Sequence, residues 1–224
     1  MLLIERIIGL YAPHFCLGCE AECDALLCDN CRATLPVVPS RCYRCHAVTR
    51  DYSVCRQCKP YTPLRHVYVG VHYDGLAKEL LHRTKYERAR AGITTMVAQM
   101  SHLFSRLPGR ALLVPVPTAT RRVRQRGYDQ AELLANELSS HTSLPVTRAL
   151  ARLGQEHQVG SGRTERLAHL KNAFRSKSAK QISGAHALLV DDVLTTGATL
   201  ETAARCLRKA GARHIDAIVF SQAA

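Results

Sequence analysis

The segment Ala187–Thr199, ALLVDDVLTTGAT, holds the residue types with the clearest chemical capacity in the chain. An apolar run ends at Val190. Two carboxylates follow at Asp191 and Asp192, and a Thr/Gly turn then leads into helical spacing. A strand ending at that point delivers its loop to the carboxyl edge of a parallel sheet, where α/β proteins bind ligands. The start of the following helix offers unpaired N–H groups and a positive dipole end to an anion. Thr195, Thr196 and Thr199 add hydroxyl donors, Gly197 lets the backbone approach a phosphate closely, and Ala198 completes the turn. Asp191 and Asp192 are acceptors suited to a vicinal diol. A phosphosugar fits this order, its phosphate on the turn and its hydroxyls on the acids. A pair of acids alone reads as a solvated turn or a helix cap, but strand, acids and glycine turn in sequence read as a ligand site.

A second chemistry lies at the other end. Nine of the ten cysteines fall between Cys16 and Cys58, and eight of them form CxxC pairs: Cys16-Cys19, Cys28-Cys31, Cys42-Cys45 and Cys55-Cys58. A CxxC turn aims two thiolates at one ion, and a second turn completes a tetrahedral S₄ site. Four turns therefore predict two structural zinc ions. Sequential pairing groups the first four and the last four cysteines; crossed pairing and a single occupied site are the alternatives. A disulfide framework is disfavoured because no secretion signal is visible. A stretch of about 45 residues with few large apolar side chains needs such staples to fold. His14, Cys23 and His46 read as bystanders, and Cys206 reads as a small core residue.

Elements must position these two chemistries. His66–His72, Ala111–Val116, His186–Val190 and Ile215–Phe220 read as strands. Leu76–Leu81, Gly92–Leu107, Ala131–Leu138 and Ala198–Ala210 carry helical spacing, with Gly211 as a stop signal. The alternation predicts an α/β fold with a mainly parallel sheet. Residues 155–184 are polar and poorly periodic, and read as a long mobile loop or an excursion with some helix. Pro60 and Pro63 flank a change in composition, placing a boundary between a module at 1–62 and a larger domain at 63–224.

Composition sets the class. The 224 residues suffice for one substantial core plus a small module, and the core must be built from Leu, Val, Ala and Ile because Trp is absent and only four Phe occur. The net charge of +13 is uneven: residues 1–64 carry seven Lys and Arg against six Asp and Glu, whereas residues 65–224 carry 24 against 12. A field of that sign suits polyanions such as nucleic acid or a sugar pyrophosphate. Aromatic rings for base stacking are sparse, with Tyr43, Tyr52, Tyr61 and Tyr128 nearest to candidate surfaces. Met1–Leu10 is too short and too interrupted to span a bilayer and reads as a packing helix; no membrane insertion and a cytoplasmic location are expected.

The 13-residue segment matches the phosphoribosyl pyrophosphate (PRPP) motif of type I phosphoribosyltransferases at every position. The rest of the chain resembles the ComF family, also called GntX-like, which joins an N-terminal double zinc ribbon to a phosphoribosyltransferase domain. Val114–Gln130, VPVPTATRRVRQRGYDQ, is similar to the family's PVP…RRxRxRGxxQ stretch, read as the loop after the first core strand. By that resemblance the loop meets pyrophosphate through Arg124, Arg126 and Gly127. Thr84-Lys85-Tyr86 resembles the family's basic segment, placing Lys85 by the same anion, and Gln158 with Glu165-Arg166 resembles its mobile catalytic loop. The resemblance implies PRPP binding with Mg²⁺ and a possible transferase activity. It also implies a role in DNA uptake, natural transformation or use of external DNA, with single-stranded DNA and DNA-uptake or recombination proteins as partners. The alternative is a nucleic-acid-binding accessory protein whose PRPP site is a sensor or relic without turnover. Three positions depart from the family's pattern: Asp129 and His169, where Asn is usual, and Gln155, where Thr is usual.

Overall fold

The computed structural model describes residues 14–86, 89–153 and 173–223. The expectations for Met1–Leu10, Gln155, Gln158, Glu165, Arg166 and His169 lie outside the described residues. The cysteine-bearing segment opens with an antiparallel pair, β1 (His14–Phe15) and β2 (Glu22–Cys23), and a short helix α1 (Asp29–Ala33). A 3₁₀ turn at Lys59–Tyr61 leads to the sheet.

Strand β3 (Val67–His72) is followed by α2 (Gly75–Tyr86), α3 (Ala89–Gln99) and a 3₁₀ turn at Ser101–Arg106. Then come β4 (Leu112–Pro115), α4 (Thr120–Arg126) and α5 (Gln130–Thr142). A small antiparallel pair, β5 (Leu150–Arg152) and β6 (Phe174–Ser176), precedes α6 (Ala179–Ile182). The chain closes with β7 (His186–Leu194), α7 (Ala198–Lys209) and β8 (His214–Gln222). The main sheet has the order β3-β8-β7-β4 and every pairing in it is parallel. The expected parallel α/β fold is present. One expectation changes. The basic run 120–126 is a helix rather than a loop, ended by Gly127 at φ +79° with its N–H on the Val123 carbonyl. Of residues 155–184, the described ones include β6 and α6, the latter in keeping with an excursion that carries some helix.

Parallel strands are covered on both faces, and period-two alternation divides their side chains. Leu188, Val190, Ile218 and Phe220 face one core, with Leu80, Met96, Leu134 and Leu138 from α2, α3 and α5. Ala187, Leu189, Ala217 and Val219 face the other core, with Leu200, Ala203 and Leu207 from α7. The cysteine segment contributes to both: Cys16, Leu26, Leu27 and Leu35 join the first core, and Val38, Cys42, Tyr43 and Val54 join the second. It crosses between them along the β3 edge, where the Val38 N–H bonds the Gly70 carbonyl (3.1 Å) and the His72 N–H bonds the Pro36 carbonyl (3.0 Å). An edge that would otherwise invite pairing with another chain is thereby covered.

At the amino-terminal ends of the strands, Asp216 is 1% exposed. It accepts from the His66 backbone N–H (3.1 Å) and contacts His66 Nδ1 (3.1 Å) and His186 Nε2 (2.7 Å). Burial opposes its ionisation, but the hydrogen bonds from His186 and His66 more than offset this and hold the carboxyl at about 2. A depressed carboxyl stabilises the fold above its unfolded value near 3.9 and loses that contribution as pH falls through the folded value. Zinc–thiolate sites also weaken in acid, so the test belongs at neutral pH. Asp216→Asn is expected to lower stability by about 2 kcal/mol in urea unfolding at pH 7.

Candidate functional site: a sugar-phosphate cleft beside two cysteine groups

The cysteine groups are the simpler part. Cys16, Cys19, Cys28 and Cys31 bring their Sγ atoms within 4.8 Å of one another, and so do Cys42, Cys45, Cys55 and Cys58. This is the sequential grouping, not the crossed one. The two are built alike. The Cys16 N–H bonds the Ala21 carbonyl and the Cys42 N–H bonds the Ala47 carbonyl, both at 2.8 Å. Glu20 and His46, each just after its CxxC, take the left-handed conformation at φ +60° and +59°.

The backbone also prepares an anion in each group. Burial opposes charge on Cys16, but the N–H groups of Cys28, Gly18 and Cys19 outweigh it and bring the thiol down to about 6. Cys42 is likewise buried yet brought down to about 7 by the N–H groups of Cys55, Cys45 and Arg44. Hydrogen bonds with Cys16 and Cys19 push Cys31 up to about 12. Four thiols facing one point cannot all ionise unaided, and a divalent cation there relieves the repulsion. Both groups can therefore bind structural zinc. Cys23, whose thiol donates to the Ala25 carbonyl (2.9 Å), and the exposed His46 stand outside both groups.

The sugar-phosphate segment has its expected frame, with one change. Strand β7 does not stop at Val190 but runs through both acids to Leu194, paired with β8. On its other side β4 ends with Pro115 opposite Val190, and the Val116 N–H makes the last bond, to the Val190 carbonyl (2.9 Å). Beyond this point that edge of β7 is free of β4, which leaves a cleft at Asp191 and Asp192. The turn follows, with Thr195, Thr196, Ala198 and Thr199 exposed and Gly197 at φ +78° capping α7.

The acids differ. Asp192 Oδ2 forms an ion pair with Lys85 Nζ at 3.0 Å. Asp191 accepts the Asp192 backbone N–H (2.9 Å). Burial, followed by the negative charge of Asp192, pushes the Asp191 carboxyl well above the ordinary range. Lys85 thus reaches one of the two acids, Asp192.

Across the cleft, Asp129 staples the loop after β4. It accepts from the Thr118 N–H (2.9 Å), the Thr118 hydroxyl (3.0 Å) and the Ala131 N–H (3.1 Å), capping α5 as it does so. Asn in its place has one acceptor oxygen rather than two, so the acid here has a local structural reason. Arg152, at the end of β5, donates to the Pro117 carbonyl (3.3 Å) and stacks on Phe174. Burial and the nearby Arg122 lower its pKa, and Asp191 and Asp129 oppose them, which places Arg152 within the field of the acids. Sequence reading missed Arg152 because no short motif contains it.

Next to Lys85 a cavity of about 610 Å³ is lined by Lys78, His82, Lys85, Tyr86, Arg122 and Arg126, among others. Arg122 and Arg126 share one face of α4. Arg124 is exposed and outside that lining, and Gly127 serves as the helix stop. Two of the four rings expected near the surface are not there: Tyr43 and Tyr52 are buried, while Tyr128 is half-buried with its hydroxyl held by the Thr84 carbonyl. Tyr61 is exposed, and Tyr86, 55% exposed, lines the cavity together with Tyr73, with the Arg126 guanidinium 5.5 Å from the Tyr86 centroid and His82 at 4.9 Å. Its place became visible only once α2 and α4 were brought together.

Residues 123–223 match the phosphoribosyl transferase domain model, a span that includes both acids and the turn. The chain is 32% identical over 201 residues to Competence protein ComFC of Bacillus subtilis (strain 168), covering 84% of this chain and 80% of that protein. It belongs to the ComF family. It is also 30% identical over 217 residues to Competence protein F of Haemophilus influenzae, covering 90% and 93% of the two chains. Against DNA utilization protein YhgH of Salmonella typhi the identity is 32% over 222 residues, covering 85% and 94%. In this ComF-family chain no helix among the described residues is long and apolar enough to cross a membrane.

Elemental analysis of reduced protein is expected to find about two zinc ions per chain, one per S₄ group. Cys16→Ser and Cys42→Ser are each expected to lower that to about one and to reduce the thermal midpoint of the whole chain, because each group is joined to a core of the main sheet.

Proposed function

We propose that the cleft at Asp191 and Asp192 binds PRPP, or a closely related sugar pyrophosphate, together with Mg²⁺. The observation that carries this reading is the free edge of β7, where two acids and an anion-binding turn lie in line beside Lys85. The 5-phosphate sits on the turn 195–199 and the ribose hydroxyls on the two acids. The pyrophosphate lies toward Lys85, Arg126 and Arg122, with Arg152 behind the loop after β4. Among the described residues the two cysteine groups alone gather three or more metal-ligating side chains. That suits Mg²⁺, which commonly binds through one or two carboxylates and the phosphate oxygens of its substrate. Bound with pyrophosphate, it would neutralise charge on that group. If the site turns over, C1 of the ribosyl group passes from pyrophosphate to a nucleophile, and the paired acids stabilise positive charge developing on the ring. Gln158 and Arg166, which the family resemblance assigns to a catalytic loop, lie outside the described residues.

The names of the relatives support a biological setting. We infer that the protein acts in the cytoplasm in DNA uptake, natural transformation or the use of external DNA, and that single-stranded DNA is its polymeric partner. The cavity beside Lys85 supports this: it places a ring for stacking among cations for phosphates.

Two experiments test these readings. Calorimetry with PRPP and Mg²⁺ should show binding that Asp191→Ala/Asp192→Ala abolishes; no heat from the unaltered protein would overturn the PRPP reading. The ionised carboxyl is the better acceptor for a diol, so binding is expected to shift Asp191 toward its ionised form, with proton release, and to tighten as pH rises through the raised value. Buffers of different ionisation heat measure that release, and Asp192→Asn, which removes the like charge, should diminish it. For DNA, Arg122→Ala/Arg126→Ala is expected to weaken single-strand binding and to lower the salt slope by roughly 0.7 per lost phosphate contact. An unchanged slope would remove the cavity from the interface.

A further inference from the structure

The two cysteine groups share a backbone but differ in the residues between the paired cysteines. In the first turn these are Leu17 and Gly18. Leu17 packs on the first core, and a Cβ at Gly18 would stand 2.8 Å from Cys31 Sγ and 3.1 Å from Leu76 Cδ2, so this dipeptide is a packing piece. In the second turn they are Tyr43 and Arg44, and both reach the first turn of α7, some 158 residues away in sequence.

The contacts are specific. Tyr43 is 4% exposed. Its hydroxyl donates to Glu201 Oε1 at 2.7 Å and is hydrogen-bonded to Thr62 Oγ1 at 2.8 Å. Arg44 Nη1 donates to the same Glu201 oxygen (2.8 Å) and to the Tyr61 carbonyl (3.1 Å). Arg205 holds the other oxygen of Glu201 at 3.4 Å. The Tyr43 ring lies against Gly197, where an added Cβ would stand 2.7 Å from Cε2.

Glu201 occupies a position with an electrostatic consequence. A carboxylate in the first turn of a helix lies where an anion is favoured, and there it competes with a bound phosphate. Tyr43, Arg44 and Arg205 together occupy both of its oxygens. The ring fixes the other side of the same turn at Gly197.

We propose that the second cysteine turn is a positioning element for the sugar-phosphate site: Tyr43 and Arg44 hold Glu201 away from the anion-binding turn 195–199 and pin that turn through Gly197. The metal that closes Cys42, Cys45, Cys55 and Cys58 then fixes both residues, and its state is coupled to ligand affinity. This inference rests on the PRPP reading above. Tyr43 and Arg44 are positioning residues; nothing here requires them to touch the ligand.

The test uses zinc-loaded, full-length protein and two readouts. Tyr43→Phe/Arg44→Ala is expected to weaken PRPP·Mg²⁺ binding by about tenfold or more in calorimetry, with zinc content unchanged by elemental analysis, as the loss of two hydrogen bonds that include a charged partner would give. Adding Glu201→Gln is expected to restore affinity to within about threefold, because the carboxylate released by the double variant is the competing group. Without ligand, hydrogen exchange at residues 195–202 is expected to be faster in the double variant than in the unaltered protein. Unchanged PRPP affinity in the double variant, or failure of Glu201→Gln to restore it, overturns the proposal. If the unaltered protein binds no PRPP, the PRPP reading fails by itself; the exchange measurement then decides the positioning claim, and unchanged exchange overturns it.

Discussion

A parallel sheet has two faces to bury, and its edge strands leave backbone groups unpaired. In this chain both requirements meet at β3, and the cysteine segment serves both. It pairs with the strand through Pro36 and Val38 and places one cysteine turn over each face. Helices α2, α3 and α5 cover most of one face and α7 most of the other, yet each cover is completed by residues next to a CxxC pair. The metal sites are therefore not appended to the fold. Their closure fixes loops whose apolar side chains, such as Leu26, Leu27 and Val54, are part of the cores that support β7 and β8.

The same arrangement explains what sequence could and could not show. CxxC spacing marked the cysteines that gather into two groups because each turn is local, and the grouping needed only short closures. ALLVDDVLTTGAT identified the acids and the turn because strand, site and helix are contiguous. The end of β7 was misplaced because a charged residue usually marks the loss of burial. Here the strand continues through Asp191 and Asp192 in the ladder with β8, although both side chains are acidic and neither is fully buried. The helix at 120–126 was hidden because it has one apolar residue, Val123, in seven, and so no periodicity to detect. Arg152, Tyr86 and the Tyr43–Arg44–Glu201 cluster owe their roles to contacts between distant elements, for which a single sequence has no signal.

The electrostatics of the cleft are set before any ligand arrives. Lys85 already lies on Asp192, and burial of Asp191 together with its negative neighbour raises that carboxyl above the ordinary range. A sugar pyrophosphate can exchange these partners favourably: its anionic end draws Lys85, and its hydroxyls replace the ammonium on the acids. Little reorganisation of backbone is needed, since Asp129 fixes the loop after β4 and Gly197 fixes the turn before α7. Preorganised donors of this kind lose less to ordering when the anion binds.

A sugar phosphate and a DNA strand place different demands on neighbouring parts of this surface. Both present phosphates, for which Lys78, Lys85, Arg122 and Arg126 are suited without regard to the sugar. Paired acids suit a vicinal diol, and a 2′-deoxyribose within a strand has none to offer. They also repel a phosphate placed against them. The acids therefore divide the cleft by chemistry. On the reading proposed above, a diol-bearing ribose 5-phosphate would gain from Asp191, Asp192 and the turn together, whereas a deoxyribose chain would gain only from the basic cavity and its tyrosines. Lys85, which contacts Asp192 and lines that cavity, places one cation at the junction of the two parts.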